Sequence, residues 1–205
     1  IFARTMGLPT IVAVGKNFTS KYEGLFAIVD GNSGKIYIDP DESTITRFKE
    51  IKKTDDSQKS HLEEFRGKIT VTRSGRKINL YANSGSLADI DLIKASDAEG
   101  IGLFRSEYIF MQAHDYPTED YQLDIYKNVL EQMEGKKVII RTLDIGADKT
   151  AEYFMLKPED NPAMGVRAIR LCLQNKAIFK TQLRALYRAS VYGNLSIMVP
   201  LITSV

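Results

Sequence analysis

Four short apolar runs separated by helix-forming stretches set the fold class of this chain. Lys77-Ile78-Asn79-Leu80-Tyr81-Ala82-Asn83, Gly100-Ile101-Gly102-Leu103-Phe104, Val138-Ile139-Ile140 and Ser196-Ile197-Met198-Val199 read as strands. Each is too short for a helix of ordinary length, and the last two are rich in β-branched residues, as buried parallel strands are. Between them, Leu87 to Ala98, Pro117 to Met133 and Gly165 to Tyr192 are dominated by helix formers. Thr118 is placed to cap the second helix, whose apolar face would hold Tyr121, Ile125, Val129 and Met133, and Gly135 to end it. Ile169, Leu173, Leu183, Leu186 and Tyr187 supply core positions for the third, with Gly193 as its stop. Strand, helix, strand repeated in this way predicts an α/β fold with parallel strands joined by crossovers, either an open sheet or part of a barrel.

The residues that follow the runs carry the chemistry. Lys136 to Lys149, KKVIIRTLDIGADK, delivers Arg141, Asp144, Asp148 and Lys149 just past a strand. Arg105 follows the Gly100–Phe104 run, and Arg167 closes Asn161-Pro162-Ala163-Met164-Gly165-Val166-Arg167 ahead of a helical run from Ala168. Loops at the carboxyl ends of parallel strands are where α/β folds build their sites. Three arginines converging there suit a small polyanion with a phosphate and a carboxylate, because each guanidinium offers a rigid bidentate fork. The same arginines would instead serve structure if Glu107, Asp144 and Asp148 paired with them as ion pairs, Glu107 orienting a guanidinium. Asn83, at the exit of the first strand, can donate to a ligand oxygen or hold a turn, and Lys149 can reach a phosphate or face solvent. Asp144 and Asp148 can help bind a divalent ion through water, or serve as salt-bridge or helix-cap residues, but neither composes a metal site alone. Cys172 sits in an apolar helical run as a core residue. His61, among charged residues, reads as a surface histidine, and His114 precedes a helix in a loop. Gly31 and Gly34 belong to a turn, since no Gly-Lys-Ser or Gly-Lys-Thr follows them to make a phosphate loop.

The first third of the chain is different. Ile1 to Gly7 reads as the end of a helix; Thr10 to Val14, Leu25 to Asp30 and Lys35 to Ile38 read as strands, the last two joined by an Asp30-Gly31-Asn32-Ser33-Gly34 turn. This is a thin core for independent stability. From Asp41 to about Arg66 a polar stretch with Ile45, Phe48 and Ile51 in partial helical spacing reads as a solvated helical connector, and Lys68 to Thr72 forms a hairpin with Lys77 to Asn83 across Ser74-Gly75-Arg76. A net charge of +2 across 205 residues gives no electrostatic footprint for nucleic acid, and one cysteine leaves no disulfide within the chain, compatible with a reducing cytosol. No apolar stretch reaches the length of a membrane span. The start IFARTMG and the apolar end PLITSV read as cut from a longer chain.

The motifs EGIGLFRSEYIFM, YPTEDYQLDIYKNVL, VIIRTLDIGADK, NPAMGVRAIRLCL and FKTQLRALYRASVYG, in this order, resemble Enzyme I of the bacterial phosphoenolpyruvate-dependent sugar phosphotransferase system through nearly the whole chain. Pyruvate phosphate dikinases and phosphoenolpyruvate synthases share single arginine motifs, but the short spacing and the combined series favour Enzyme I. The resemblance implies that residues 1–45 end a swivelling phosphohistidine domain, 46–67 form a helical linker, and 68–205 make the N-terminal half of a phosphoenolpyruvate-binding (β/α)8 TIM barrel. It implies a cytoplasmic, magnesium-dependent homodimer that moves a phosphoryl group from phosphoenolpyruvate to its own histidine and on to the carrier protein HPr. Arg105, Arg141 and Arg167 then match the arginines holding the substrate phosphate and carboxylate, with Asn83 and Lys149 as weaker matches. The family's phosphohistidine would precede Ile1, and its magnesium ligands and enolate-protonating cysteine would follow Val205. Neither His61 nor His114 fits the histidine motif, and Cys172 is not that cysteine. The 205 residues alone are therefore expected to be inactive. Ser106 stands where threonine is common and keeps the hydroxyl; Ala147 stands where glycine is common.

Overall fold

The computed structural model describes residues 8–16, 18–146 and 151–204, and the chain divides into two compact units, one through Arg66 and one from Gly67.

In the first unit, strands β1 (Ala27–Asp30) and β2 (Lys35–Ile38) form an antiparallel hairpin in which Ala27 faces Ile38 and Asp30 faces Lys35. Asp30 closes the turn by accepting from the backbone N–H groups of Asn32 (3.0 Å) and Ser33 (3.3 Å) and from the Ser33 hydroxyl. Gly34 takes a left-handed φ of 69°, which a residue with a β-carbon adopts only at a cost. Helix α1 (Glu42–Glu63) starts at Asp41, whose carboxylate accepts from Thr44 N–H at 2.7 Å and from the Ser43 hydroxyl at 2.9 Å. Phe48, in the expected stripe, lies with its ring centroid 5.0 Å from that of Tyr37 on β2. No residue of α1 is buried, and His61 is exposed beside Glu64. The expected strand from Thr10 to Val14 does not form. Ala13 has a φ of 58° and Gly15 one of 78°, so the path turns where a pleated strand must continue, and Val12 is left 82% exposed. The expected helix end at Ile1–Gly7 lies outside the described residues.

The second unit is a four-stranded parallel sheet in sequential order: β3 (Ala82–Ser84), β4 (Gly100–Arg105), β5 (Lys137–Arg141) and β6 (Leu195–Met198). The mixed α/β class and the parallel pairing agree with the sequence pattern. Helices α2 (Ile90–Ala95), α3 (Glu107–Gln112), α4 (Glu119–Gln132), α5 (Ile169–Gln174) and α6 (Lys176–Ala189) occupy the crossovers. Ile101, Phe104, Val138 and Ile140 from the strands meet Tyr126, Val129, Leu130 and Leu186 from α4 and α6 in one buried cluster. Thr118 caps α4 through a bond from Tyr121 N–H at 3.2 Å. Among the described residues no helix is long and apolar enough to cross a membrane.

Several elements are shorter than the sequence predicts. The Lys68–Thr72 hairpin reduces to a single antiparallel bridge, Val71 to Lys77, and only Ala82–Ser84 of the following run joins the sheet. The helix after Leu87 ends at Ala95, because Asp97 is left-handed at a φ of 58°. The helical stretch from Gly165 begins only at Ile169 and breaks at Asn175, whose ψ of 75° is not helical. The inward stripe instead runs through Leu171, Ile178, Gln182, Ala185, Leu186 and Ala189, and Leu173 and Tyr187, expected in the core, fall on the opposite face, 57% and 70% exposed. Tyr121 is half exposed too; the face of α4 that turns inward carries Gln122, Tyr126, Val129 and Leu130.

Candidate functional site

Adjacent parallel strands place two of the arginines side by side. Arg105 ends β4, Arg141 ends β5, and the two are register partners, so their side chains leave the same face of the sheet. Arg167 comes from the connection between β5 and α5 and reaches the same place through a shared carboxylate. Asp144 takes Arg167 Nε on Oδ1 at 2.7 Å and Nη2 on Oδ2 at 3.2 Å, while Arg141 Nη1 sits 3.0 Å from Oδ2. On its other side, Arg141 Nη2 donates to Glu107 Oε1 at 2.5 Å. Glu107, Arg141, Asp144 and Arg167 thus form a continuous chain of charge-assisted bonds drawn from two loops and one helix start.

Burial makes this chain stiff and costly to break. Glu107 is 1% exposed in its side chain and Asp144 8%, against 16% for Arg141 and 13% for Arg167. The acids lie underneath and the guanidinium groups lie nearer the surface, which is the order needed to present positive charge outward on fixed supports. Removing one partner of a buried pair typically costs about 3–5 kcal/mol, since the other charge is left uncompensated. Arg105 is held differently. Its buried Nε has no hydrogen-bond partner, and its guanidinium carbon lies 5.4 Å from the centre of the Tyr108 ring. Three guanidinium charges against two carboxylates leave a surplus of positive charge among the described residues of the site. The ion-pair expectation therefore holds for Glu107 and Asp144, and it coexists with capacity for an anion.

The loop that carries Arg167 is tightly dressed. Glu159 accepts from Val166 N–H at 2.9 Å, and Arg170 Nη1 donates to the carbonyls of Met164 (2.7 Å) and Gly165 (2.8 Å). A β-carbon at Gly165 would occupy the place of the Glu159 carboxylate, so a larger residue there would displace that side chain from Val166 N–H. At Gly146 a β-carbon would stand 3.0–3.3 Å from the Arg167 stem, tighter than ordinary packing allows. Ala168 then turns the chain with a φ of 50°, its N–H donating to Ile145 O at 3.1 Å.

Asn83 lies on β3 beside Leu103 of β4, two positions before Arg105, and its side chain is exposed. Lys149, Asp148 and Ala147 lie outside the described residues. Cys172 is buried, and that burial pushes its thiol up to about 11, so it stays protonated at neutral pH. His114 is exposed in its loop. Among the described residues no group of three or more His, Cys, Asp or Glu side chains could hold a metal ion. Sequence reasoning missed Gln182 and Tyr126, which lie buried under the arginine loops. The available signal was an amide on an apolar helical stripe, at 182 between Ile178 and Leu186.

Comparison with known proteins bears on this geometry. A family model described as PEP-utilising enzyme, PEP-binding domain, matches residues 59–205. Over all 205 residues the chain is 43% identical to the phosphoenolpyruvate-protein phosphotransferase of Bacillus subtilis (strain 168), covering 36% of that protein. The same identity and coverage hold for the phosphoenolpyruvate-protein phosphotransferase of Mycoplasma genitalium. With that of Geobacillus stearothermophilus the identity is 44% over 204 residues, or 35% of its length. The chain thus spans little more than a third of the curated relatives it matches. The chain belongs to the family of PEP-utilising enzymes through their PEP-binding domain.

Proposed function

We propose that residues 68–205 are the first half of a (β/α)8 barrel that binds phosphoenolpyruvate, with Arg105, Arg141 and Arg167 gripping its phosphate and carboxylate. One observation carries this reading. Arg141 is clamped between Glu107 and Asp144, and Asp144 also holds Arg167, so the two guanidinium groups are oriented before any ligand arrives. Preorganised cations of this kind bind a dianionic phosphate without paying for reorganisation and neutralise charge on the transferring oxygens. Arg105, whose guanidinium makes no ion pair among the described residues while Arg141 and Arg167 are held by carboxylates, is the side chain with most bonding capacity left for a ligand oxygen. Asn83 and Lys149 add donors at the rim.

In the whole protein the activity would be that of Enzyme I. The bond between phosphorus and the enol oxygen breaks, a bond from phosphorus to a histidine nitrogen forms, and the enolate leaves to be protonated to pyruvate. The phosphoryl group then passes to HPr in bacterial sugar uptake. On this reading the first unit closes a swivelling domain that bears the histidine, α1 is the linker, and the whole is a cytoplasmic homodimer. Magnesium, when bound, would supply further positive charge to the substrate. Among the described residues the two acids of the site, Glu107 and Asp144, are both committed to arginines. The 205-residue chain alone would bind without turnover.

Calorimetric titration with phosphoenolpyruvate and magnesium tests the reading, with Arg141→Ala and Arg167→Ala alongside. Loss of a charge-assisted pair of bonds predicts affinity weaker by about tenfold to a hundredfold in each variant. Unchanged affinity in folded variants would sink the assignment and leave an inert scaffold. Phosphate incorporation into the isolated chain would contradict its predicted inactivity.

A further inference from the structure

We infer that Gln182 is a positioning residue for the arginine site, setting the distance between the loop that bears Arg105 and Glu107 and the loop that bears Arg141 and Asp144. This rests on the reading above that those arginines bind phosphoenolpyruvate.

Gln182 sits on the inward stripe of α6 with Ile178, Ala185, Leu186 and Ala189, and it is fully buried. An amide in such a place is costly unless its polar atoms are used. Here they are. Leu143 N–H donates to Oε1 at 2.9 Å, and Nε2 donates to Ser106 Oγ at 3.0 Å and to the Tyr126 hydroxyl at 3.1 Å. The backbone N–H can only donate, which assigns the amide oxygen and therefore the direction of every bond beyond it. Ser106 passes its own proton to the carbonyl of Arg141 at 2.6 Å. Tyr126 donates to Gln122 Oε1 at 3.1 Å, and Gln122 Nε2 donates to Pro117 O at 2.9 Å. Each hydroxyl accepts once and donates once.

The network has two arms with different consequences. One arm runs through Ser106, flanked in sequence by Arg105 and Glu107, and through Leu143, flanked by Thr142 and Asp144. It holds the two loops at the separation at which Glu107 meets Arg141. The other arm runs through Tyr126 and Gln122 to the start of α4 and touches neither loop. A purely structural role would weigh on both arms alike; a positioning role is confined to the first.

The test uses the full-length protein that carries this segment, comparing Gln182→Met with Tyr126→Phe and Arg141→Ala. Methionine keeps the shape of the side chain and removes its three bonds. Gln182→Met should raise the KM for phosphoenolpyruvate about tenfold through misplaced guanidinium groups. Tyr126→Phe should lower the melting temperature yet leave KM within about twofold of wild type, because its arm does not reach the arginines. The Leu143 amide proton should also move upfield in Gln182→Met and stay in place in Tyr126→Phe. If both variants lose stability and both leave KM alone, or both raise it equally, Gln182 is structural and the inference fails. If Arg141→Ala leaves KM unchanged, the binding-site reading itself has failed, and the inference with it. Should Gln182→Met not fold, Ser106→Ala cuts the same arm on both sides of the hydroxyl, the bond from Gln182 and the bond to Arg141 O; a KM raised at least about threefold supports the inference, and an unchanged KM overturns it.

Discussion

The two units of this chain contain comparable secondary structure and very different interiors. Through Arg66 none of the described residues is buried, although a hairpin and a 22-residue helix are present. From Gly67 onward a continuous buried cluster joins strands and helices. The first unit is held by local devices: the Asp30 turn, the Asp41 cap and bonds along the helix. The second is held by contacts between residues far apart in sequence. The difference shows that regular backbone structure and a stabilising core are separate achievements, and that a hydrogen-bonding site requires the second.

Hydrogen exchange should display this contrast most strongly. Amides of β4 and β5 should exchange at least roughly a thousandfold more slowly than those of α1, β1 and β2, because the former open only with the core. Equal protection in α1 and β5 would break the comparison. Next come truncations at matched aromatic positions. Phe104→Ala, at a fully buried site, should cost about 3–5 kcal/mol in urea unfolding. Phe48→Ala, at a half-buried site on α1, should cost less than about 1.5 kcal/mol.

A smaller effect separates carboxylates. Burial alone would push Asp89 up, but bonds from Gly85 N–H, Ser86 N–H and the Ser84 hydroxyl outweigh it and hold the carboxyl below its ordinary range. Because the folded form binds its proton less readily, Asp89 contributes stability above the ordinary carboxylate range that is lost as pH falls through the folded value. Asp89→Asn should therefore flatten the acid limb of stability below about pH 4, as read by thermal melts across pH. Retention of the full slope would remove Asp89 from the account. The smallest effects belong to exposed apolar residues: Leu62→Ser in the first unit and Tyr187→Ser in the second should each stay within about 0.5 kcal/mol by denaturant titration. A larger loss at either would mean that the side chain is covered in solution.

What could be read from sequence follows the same divide between local and distant information. The order of β3 to β6 was legible because strand and helix periods are local, and the convergence of Arg105 with Arg141 followed from each standing at the end of a strand. Glu107 was legible as an acid that orients a guanidinium because it stands beside Arg105, but the guanidinium it holds is that of Arg141, 34 positions away. Thr10 to Val14 has the composition of a strand but, among the described residues, no partner strand, which composition does not report. Leu173 and Tyr187 were misplaced because the buried stripe is built partly from Gln182, Ala185 and Ala189, small or polar residues that do not announce a core face. Gln182 was invisible as a site residue for a stricter reason: its partners lie 39, 56 and 76 positions away.

Those separations impose an order on synthesis. As the chain is synthesised, Arg105, Ser106, Arg141 and Asp144 are all made before residue 182, and each strand can pair with the one made just before it. The sheet can therefore assemble progressively and its two arginine loops can already meet through Glu107, Ser106 and Arg141, but the buried amide that braces them arrives only when α6 has been translated.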